Sequence, residues 1–182
     1  MRKIFFFMLI IIINPLYAQK VIPVNISYFG ETITNPGFET SYENNFLKGF
    51  NFTISAGFYV HQRNHTALFL NGGINWRHTF PIGYSIEFGA GLGYLQTWTH
   101  GGDVYNIDDN GNVFVKQKTG RANLMPLLKL GVLGWDFRES NDIPIRINVD
   151  VIFFGQYPFN NFMMPHFALK TGATYYFEIN EN

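Results

Sequence analysis

Residues 50–60 read Phe-Asn-Phe-Thr-Ile-Ser-Ala-Gly-Phe-Tyr-Val, and this alternation constrains the fold more than any other feature of the chain. Phe50, Phe52, Ile54, Ala56, Phe58 and Val60 share one parity. Asn51, Thr53, Ser55, Gly57 and then Tyr59 share the other. Side chains on a strand point alternately to opposite faces, so the segment is a ribbon with one apolar and one polar side.

The pattern recurs along the chain. Residues 166–177 set Phe167, Leu169, Ala173, Tyr175 and Phe177 against His166, Lys170, Gly172 and Thr174. Residues 145–154 set Ile145, Ile147, Val149, Val151 and Phe153 against Arg146, Asn148 and Asp150. In residues 121–133, Leu124, Leu128, Leu130 and Val132 oppose Arg121, Asn123, Lys129 and Gly131, with Met125 and Leu127 spoiling the polar side. Residues 84–98 give Tyr84, Ile86, Phe88, Ala90, Leu92, Tyr94 and Trp98 against Ser85, Glu87, Gly89, Gly91, Gly93 and Thr97. Residues 66–77 give Leu68, Leu70, Ile74 and Trp76 against Asn71, Gly73, Asn75 and Arg77, with Phe69 the exception. Residues 21–30 and 37–43 add two more strands, separated by the turn residues Thr34-Asn35-Pro36-Gly37. With residues 50–61 the total is eight, an even number, as bacterial outer-membrane barrels have.

The N-terminus reads as an export signal covering residues 1–18. Arg2 and Lys3 precede the apolar run 4–13, Asn14 and Pro15 break it, and Leu16-Tyr17-Ala18 offers small-residue cleavage chemistry before Gln19. Ten apolar residues are too few for a spanning helix, which needs about 20. No other segment is long and apolar enough to supply one. A membrane chain without a spanning helix must close its sheet, because hydrocarbon cannot satisfy a free strand edge. The expectation is therefore an all-β fold for residues 19–182: an eight-stranded antiparallel up-and-down transmembrane barrel in the bacterial outer membrane. Both termini would be periplasmic. The connections 44–49, 78–83 and 137–143 would then be short periplasmic turns, and the longest, about residues 99–120, would lie outside, as such barrels arrange them.

Composition separates this from a soluble barrel. Charged residues are 14% of the chain, well below the roughly 25% of an ordinary soluble domain. Gly89, Gly91 and Gly93 occupy successive positions of one face, which suits a crowded lumen better than a solvent face. The apolar face ends in aromatics. Tyr42, Phe50, Trp76, Tyr84, Tyr175 and Phe177 fall toward the periplasmic rim, and Trp98, Phe153 and Tyr157 toward the outer rim, as an interfacial girdle does. Cysteine is absent, which excludes disulfides, an N-terminal lipidated cysteine and thiolate metal sites. Without Arg2 and Lys3 the chain carries 11 basic and 13 acidic residues, so nothing points to nucleic acid.

The chain resembles the small outer-membrane barrels of the OmpA and OmpX-like superfamily, in the form found in Bacteroidota. The residues carrying the resemblance are Tyr17-Ala18-Gln19, Asn35-Pro36-Gly37-Phe38, Asn123-Leu124-Met125-Pro126 and the ending Thr174-Tyr175-Tyr176-Phe177. The resemblance implies that the C-terminal aromatic is read by the barrel-insertion machinery, although Phe177 is followed by five further residues. No peptidoglycan-binding domain of the OmpA type is expected.

Chemistry is sparse. Arg77, Glu87, Lys129, Arg146, Asp150 and Lys170 should point into the lumen, with Glu43 near its periplasmic end, and form an ion network that plugs it. The segment Asn106-Ile107-Asp108-Asp109-Asn110-Gly111 echoes a calcium loop, but its twelfth position is Gln117 rather than Glu, and Asn110-Gly111 reads as a hairpin tip. Some eight-stranded barrels modify lipid A, which requires a nucleophile, a His base and an acidic orienter. His61, His65, His100 and His166 should lie near the outer rim and His78 near the other, as solvated residues, with no serine spaced for such a site. No cofactor or metal is expected. The expected role is a non-enzymatic, structural or accessory barrel, a subunit of a larger envelope complex. Its partners would be outer-membrane lipid, the insertion machinery and other envelope proteins. The alternatives are a narrow permeation barrel and a lipid A-modifying enzyme.

Overall fold

A computed structural model describes residues 21–62, 64–100, 104–108, 110–116, 120–159 and 162–178. The export signal expected at 1–18 lies outside the described residues, as do Asp109 and Gln117 of the calcium-like segment. The strands are β1 (Val21–Glu31), β2 (Gly37–Leu47), β3 (Phe50–His61), β4 (His65–Thr79), β5 (Tyr84–Thr99), β6 (Val104–Ile107), β7 (Val113–Lys116), β8 (Arg121–Asp136), β9 (Ile145–Phe159) and β10 (Phe162–Glu178). A one-turn helix, α1 (Arg138–Asn141), joins β8 to β9.

Eight of these strands close a barrel in the order β1-β10-β9-β8-β5-β4-β3-β2, each antiparallel to its neighbours. Closure is made by β1 on β10, from Val21↔Glu178 to Glu31↔Ala168. The barrel strands run 11 to 17 residues, and roughly 9–11 suffice to cross a bilayer. One end carries the start of β1, the end of β10 and the short connections β2–β3, β4–β5 and β8–β9. The other, the loop end, carries the longest connection, from which β6 and β7 rise as a separate hairpin.

The β3 alternation is realised residue by residue. Asn51, Ser55 and Tyr59 are buried, whereas Phe50, Ala56 and Phe58 are exposed. Neighbouring strands keep the same phase, so Leu68, Leu70, Ile74, Phe88, Leu92, Leu124, Leu128 and Phe153 form a continuous outward apolar belt.

Several boundaries differ from the sequence reading. β2 continues to Leu47 through a register shift at Asn45/Leu47, so residues 44–47 are strand rather than turn. β9 extends to Phe159 and β10 begins at Phe162. The first hairpin turns at Thr32–Thr34, where Thr32 and Ile33 take φ of 45° and 67°, and Glu31 bridges Asn35. Gly37 is therefore not a turn residue. It opens β2 under close approach, since a Cβ there would meet Phe29 O and Tyr59 Cβ at 2.7 Å. In β8 a shift at Gly131/Leu133 leaves Val132 and Leu133 both outward. Alternation resumes in the opposite phase, which turns Asp136 inward and Trp135 outward.

Candidate functional site

The lumen is filled in three layers. The first, toward the terminal end, is a chain of alternating charges. Arg146 Nη2 donates to Glu43 Oε1 at 2.8 Å, and Arg77 Nη2 donates to Glu43 Oε2 at 2.7 Å. Arg77 Nε donates to Glu87 Oε2 at 2.9 Å, and Lys129 Nζ donates to Glu87 Oε1 at 2.8 Å. Lys129 and Lys170 each stand 3.7 Å from Asp150 Oδ2. Lys170 Nζ then donates to Glu39 Oε1 at 2.7 Å. These four bases and four acids sum to zero charge, which lets so many ions share a narrow lumen: each charge faces an opposite one, and none is left uncompensated. The structure brings Arg77, Glu87, Lys129, Arg146, Asp150 and Lys170 into one network. Glu39, which sequence reasoning left out, completes it. Its signal was its parity, shared with Glu43 on β2. Around the ions, Asn25 Nδ2 donates to Asn148 Oδ1 at 2.8 Å, and Asn148 Nδ2 donates to Asp150 Oδ2 at 2.8 Å.

Above the ions sits an apolar plug. Phe29, Tyr59, Phe69, Leu95, Met125, Ile152 and Phe154 are buried together with Ala67 and Ala168. The Phe29 and Phe69 ring centroids are 4.9 Å apart. The plug follows directly on the ions, because Phe29 pairs with Lys170 and Ile152 with Lys129. Phe69, Met125 and Leu127 broke the polar alternation for this reason: they face a second, internal apolar environment. Between the layers a cavity of about 30 Å³ remains, room for about one water.

The third layer lies at the loop end. Glu31 accepts from His166 Nδ1 at 2.9 Å, from Thr32 Oγ1 at 3.1 Å and from Asn35 Nδ2. His61 Nδ1 stands 3.4 Å from the same carboxylate. His65 Nε2 lies 3.3 Å from the Tyr59 hydroxyl. His65 and His166 are thus buried and bonded rather than solvated, which corrects the sequence reading. They turn inward because both sit at lumen-facing positions of their strands, where His166 meets the Glu31 carboxylate and His65 the Tyr59 hydroxyl. Among the described residues no serine or threonine hydroxyl bonds the His166 imidazole. His78 is outside the lumen at the terminal end, 6.0 Å from Trp76 ring to ring.

The aromatics of the outward face are distributed to both ends. Phe50 pairs with Trp76, and Tyr42 and Tyr175 flank Val24, all toward the terminal end with Tyr84 and Phe177. Trp98, Phe153 and Tyr157 lie toward the loop end. Trp135 joins the terminal set. The β8 phase change had hidden it from the sequence pattern.

The segment 104–116 forms the β6–β7 hairpin. At its tip Asp108 Oδ1 accepts from the Asn112 and Asn110 backbone at 2.7 and 3.0 Å, and Oδ2 accepts from Asn112 Nδ2 at 3.0 Å. These bonds, the Asn112 side chain first, hold its carboxyl below the ordinary aspartate value. The Asp108 oxygens thus cap a turn in which Gly111 takes φ of 86°.

No protein-family model matches the chain, and no curated protein matches it. Solved structures do. The N-terminal β-barrel domain of Pseudomonas aeruginosa OprF is similar at a TM-score of 0.59 and 14% identity, over 87% of this chain and 98% of that one. Neisserial surface protein A is similar at 0.57 and 7% identity, over 87% and 96%. The Yersinia pestis outer membrane protein Ail is similar at 0.50 and 11% identity, over 87% and 100%. At these identities the likeness is one of fold, and the fold is that of the small eight-stranded outer-membrane barrels.

Proposed function

We propose that the chain is a non-enzymatic outer-membrane barrel of the OmpA and OmpX-like kind, in its Bacteroidota form, which anchors a protein-binding hairpin at the cell surface. It would serve as an accessory subunit of an envelope complex. The observation that carries this reading is the β6–β7 hairpin. Its register puts Tyr105 opposite Val115 and Ile107 opposite Val113, all four on one face. They are 57–66% exposed. A lone two-stranded hairpin is marginal in water, and an exposed apolar patch marks an interaction site. The filled lumen favours this anchoring role over permeation. Short connections at the terminal end and the longest at the other favour periplasmic termini.

Copurification of the full chain from its own membranes in mild detergent tests the reading. The wild-type barrel is expected to bring down a stoichiometric envelope protein. The Ile107→Asp/Val113→Asp variant should lose it at least tenfold while its barrel remains folded. Equal recovery with both chains, or no partner with either, would overturn the docking role.

A further inference from the structure

The outward belt is not smooth. A groove of about 470 Å³ crosses β8, β9 and β10 in their loop-end half. Its floor is the buried Gly155, flanked by Pro126, and its lining includes the exposed Pro165, Leu128, Phe153 and Met163, with His166 at one edge. Two observations mark it as more than surface roughness. The β8–β9 ladder passes from Leu124↔Tyr157 to Leu127↔Phe154 without pairing Pro126, while Pro165 pairs with Gly155 on the other side. Proline has no N–H to give a ladder, so the floor is a seam with reduced backbone bonding. Gly155 is buried although it stands on the outward parity. Met163 lies over it, close enough that a Cβ would meet its Sδ at 2.5 Å. Methionine is the side chain best able to swing aside for a ligand.

We infer that this groove holds one acyl chain of a bilayer lipid as a retained, stoichiometric ligand that covers the β8–β9 seam. The occupant follows from continuity: the rims Leu128 and Phe153 are 51% and 52% exposed members of the same apolar belt. What meets that belt is hydrocarbon, and His166 is the one polar side chain among the lining residues. The inference rests on the membrane reading above.

Native mass spectrometry of the full chain released from dimyristoyl-phosphatidylcholine nanodiscs tests it. The wild type should retain a one-lipid adduct. Gly155→Leu fills the floor, and Ala90→Phe fills the groove from its β5 side without touching the seam. Each should reduce that adduct about tenfold, whereas Met163→Ala should keep it. Adducts equal across the wild type and both filling variants would overturn the groove alone. A chain that never enters the discs would overturn the membrane reading together with it.

Discussion

Glu43→Ala is expected to destabilise the folded barrel by about 3–5 kcal/mol, the cost of stripping a buried charge of its partner. Glu43 is 5% exposed. It is the acceptor shared by Arg77 and Arg146, at 2.7 and 2.8 Å. Removing it leaves two guanidinium groups facing each other across a narrow lumen. Arg77 keeps Glu87, so the heavier loss falls on Arg146, whose other bond in the described network is a 3.4 Å contact from Nη2 to Thr174 Oγ1. Combining Glu43→Leu with Arg146→Met removes an opposite-charge pair together. That double variant should recover much of the loss, because a well-packed apolar pair can replace a buried ion pair. Urea unfolding of the refolded barrel in bilayers measures both. A loss below about 1 kcal/mol for Glu43→Ala would mean that water reaches the ions freely, and the lumen would then not be plugged.

Ala56→Arg should destabilise or block insertion by about 2–4 kcal/mol, the cost of a cation on the outward face near the bilayer midplane. Ala56 stands midway along β3 between the outward Ile54 and Phe58, and pairs with Leu70 and Thr40. Its neighbour Ser55 faces the lumen and donates to Asn71 Oδ1 at 2.8 Å. Ser55→Ala should therefore cost about 1 kcal/mol, the worth of one buried hydrogen bond. The contrast, rather than either value, tests the face assignment. The same unfolding measurement would contradict it if the two substitutions cost the same.

The barrel was legible because its two faces meet different solvents, and period-2 patterning records that directly. The β3 limits at Phe50 and His61 and the inward set Arg77, Glu87, Lys129, Arg146, Asp150 and Lys170 could be read from parity alone. Three things could not. The β8 bulge at Gly131/Leu133 inserts one residue and reverses the phase, so Trp135 and Asp136 escaped the pattern. The apolar plug looked like error in the alternation, since parity reports a face and not how far along the lumen a residue lies. The Glu31–His166 pair joins residues 135 apart in sequence. Only barrel closure, which places β1 beside β10, brings them together. The β6–β7 hairpin lay between these cases: Asn110-Gly111 announced the turn, but which four side chains share a face depends on a register that the turn residues fix only in three dimensions.

A cysteine scan along β3 reads whether this alternation separates hydrocarbon from a filled lumen. The chain has no cysteine of its own, so each single variant reports one position. In bilayers containing lipid with nitroxide on its acyl chains, an environment-sensitive probe at positions 52, 54, 56 and 58 should be quenched. Positions 53, 55 and 57 should resist both labelling and quenching. Quenching that rises and falls with a period of two supports the account, and uniform labelling with uniform quenching along the strand would contradict it.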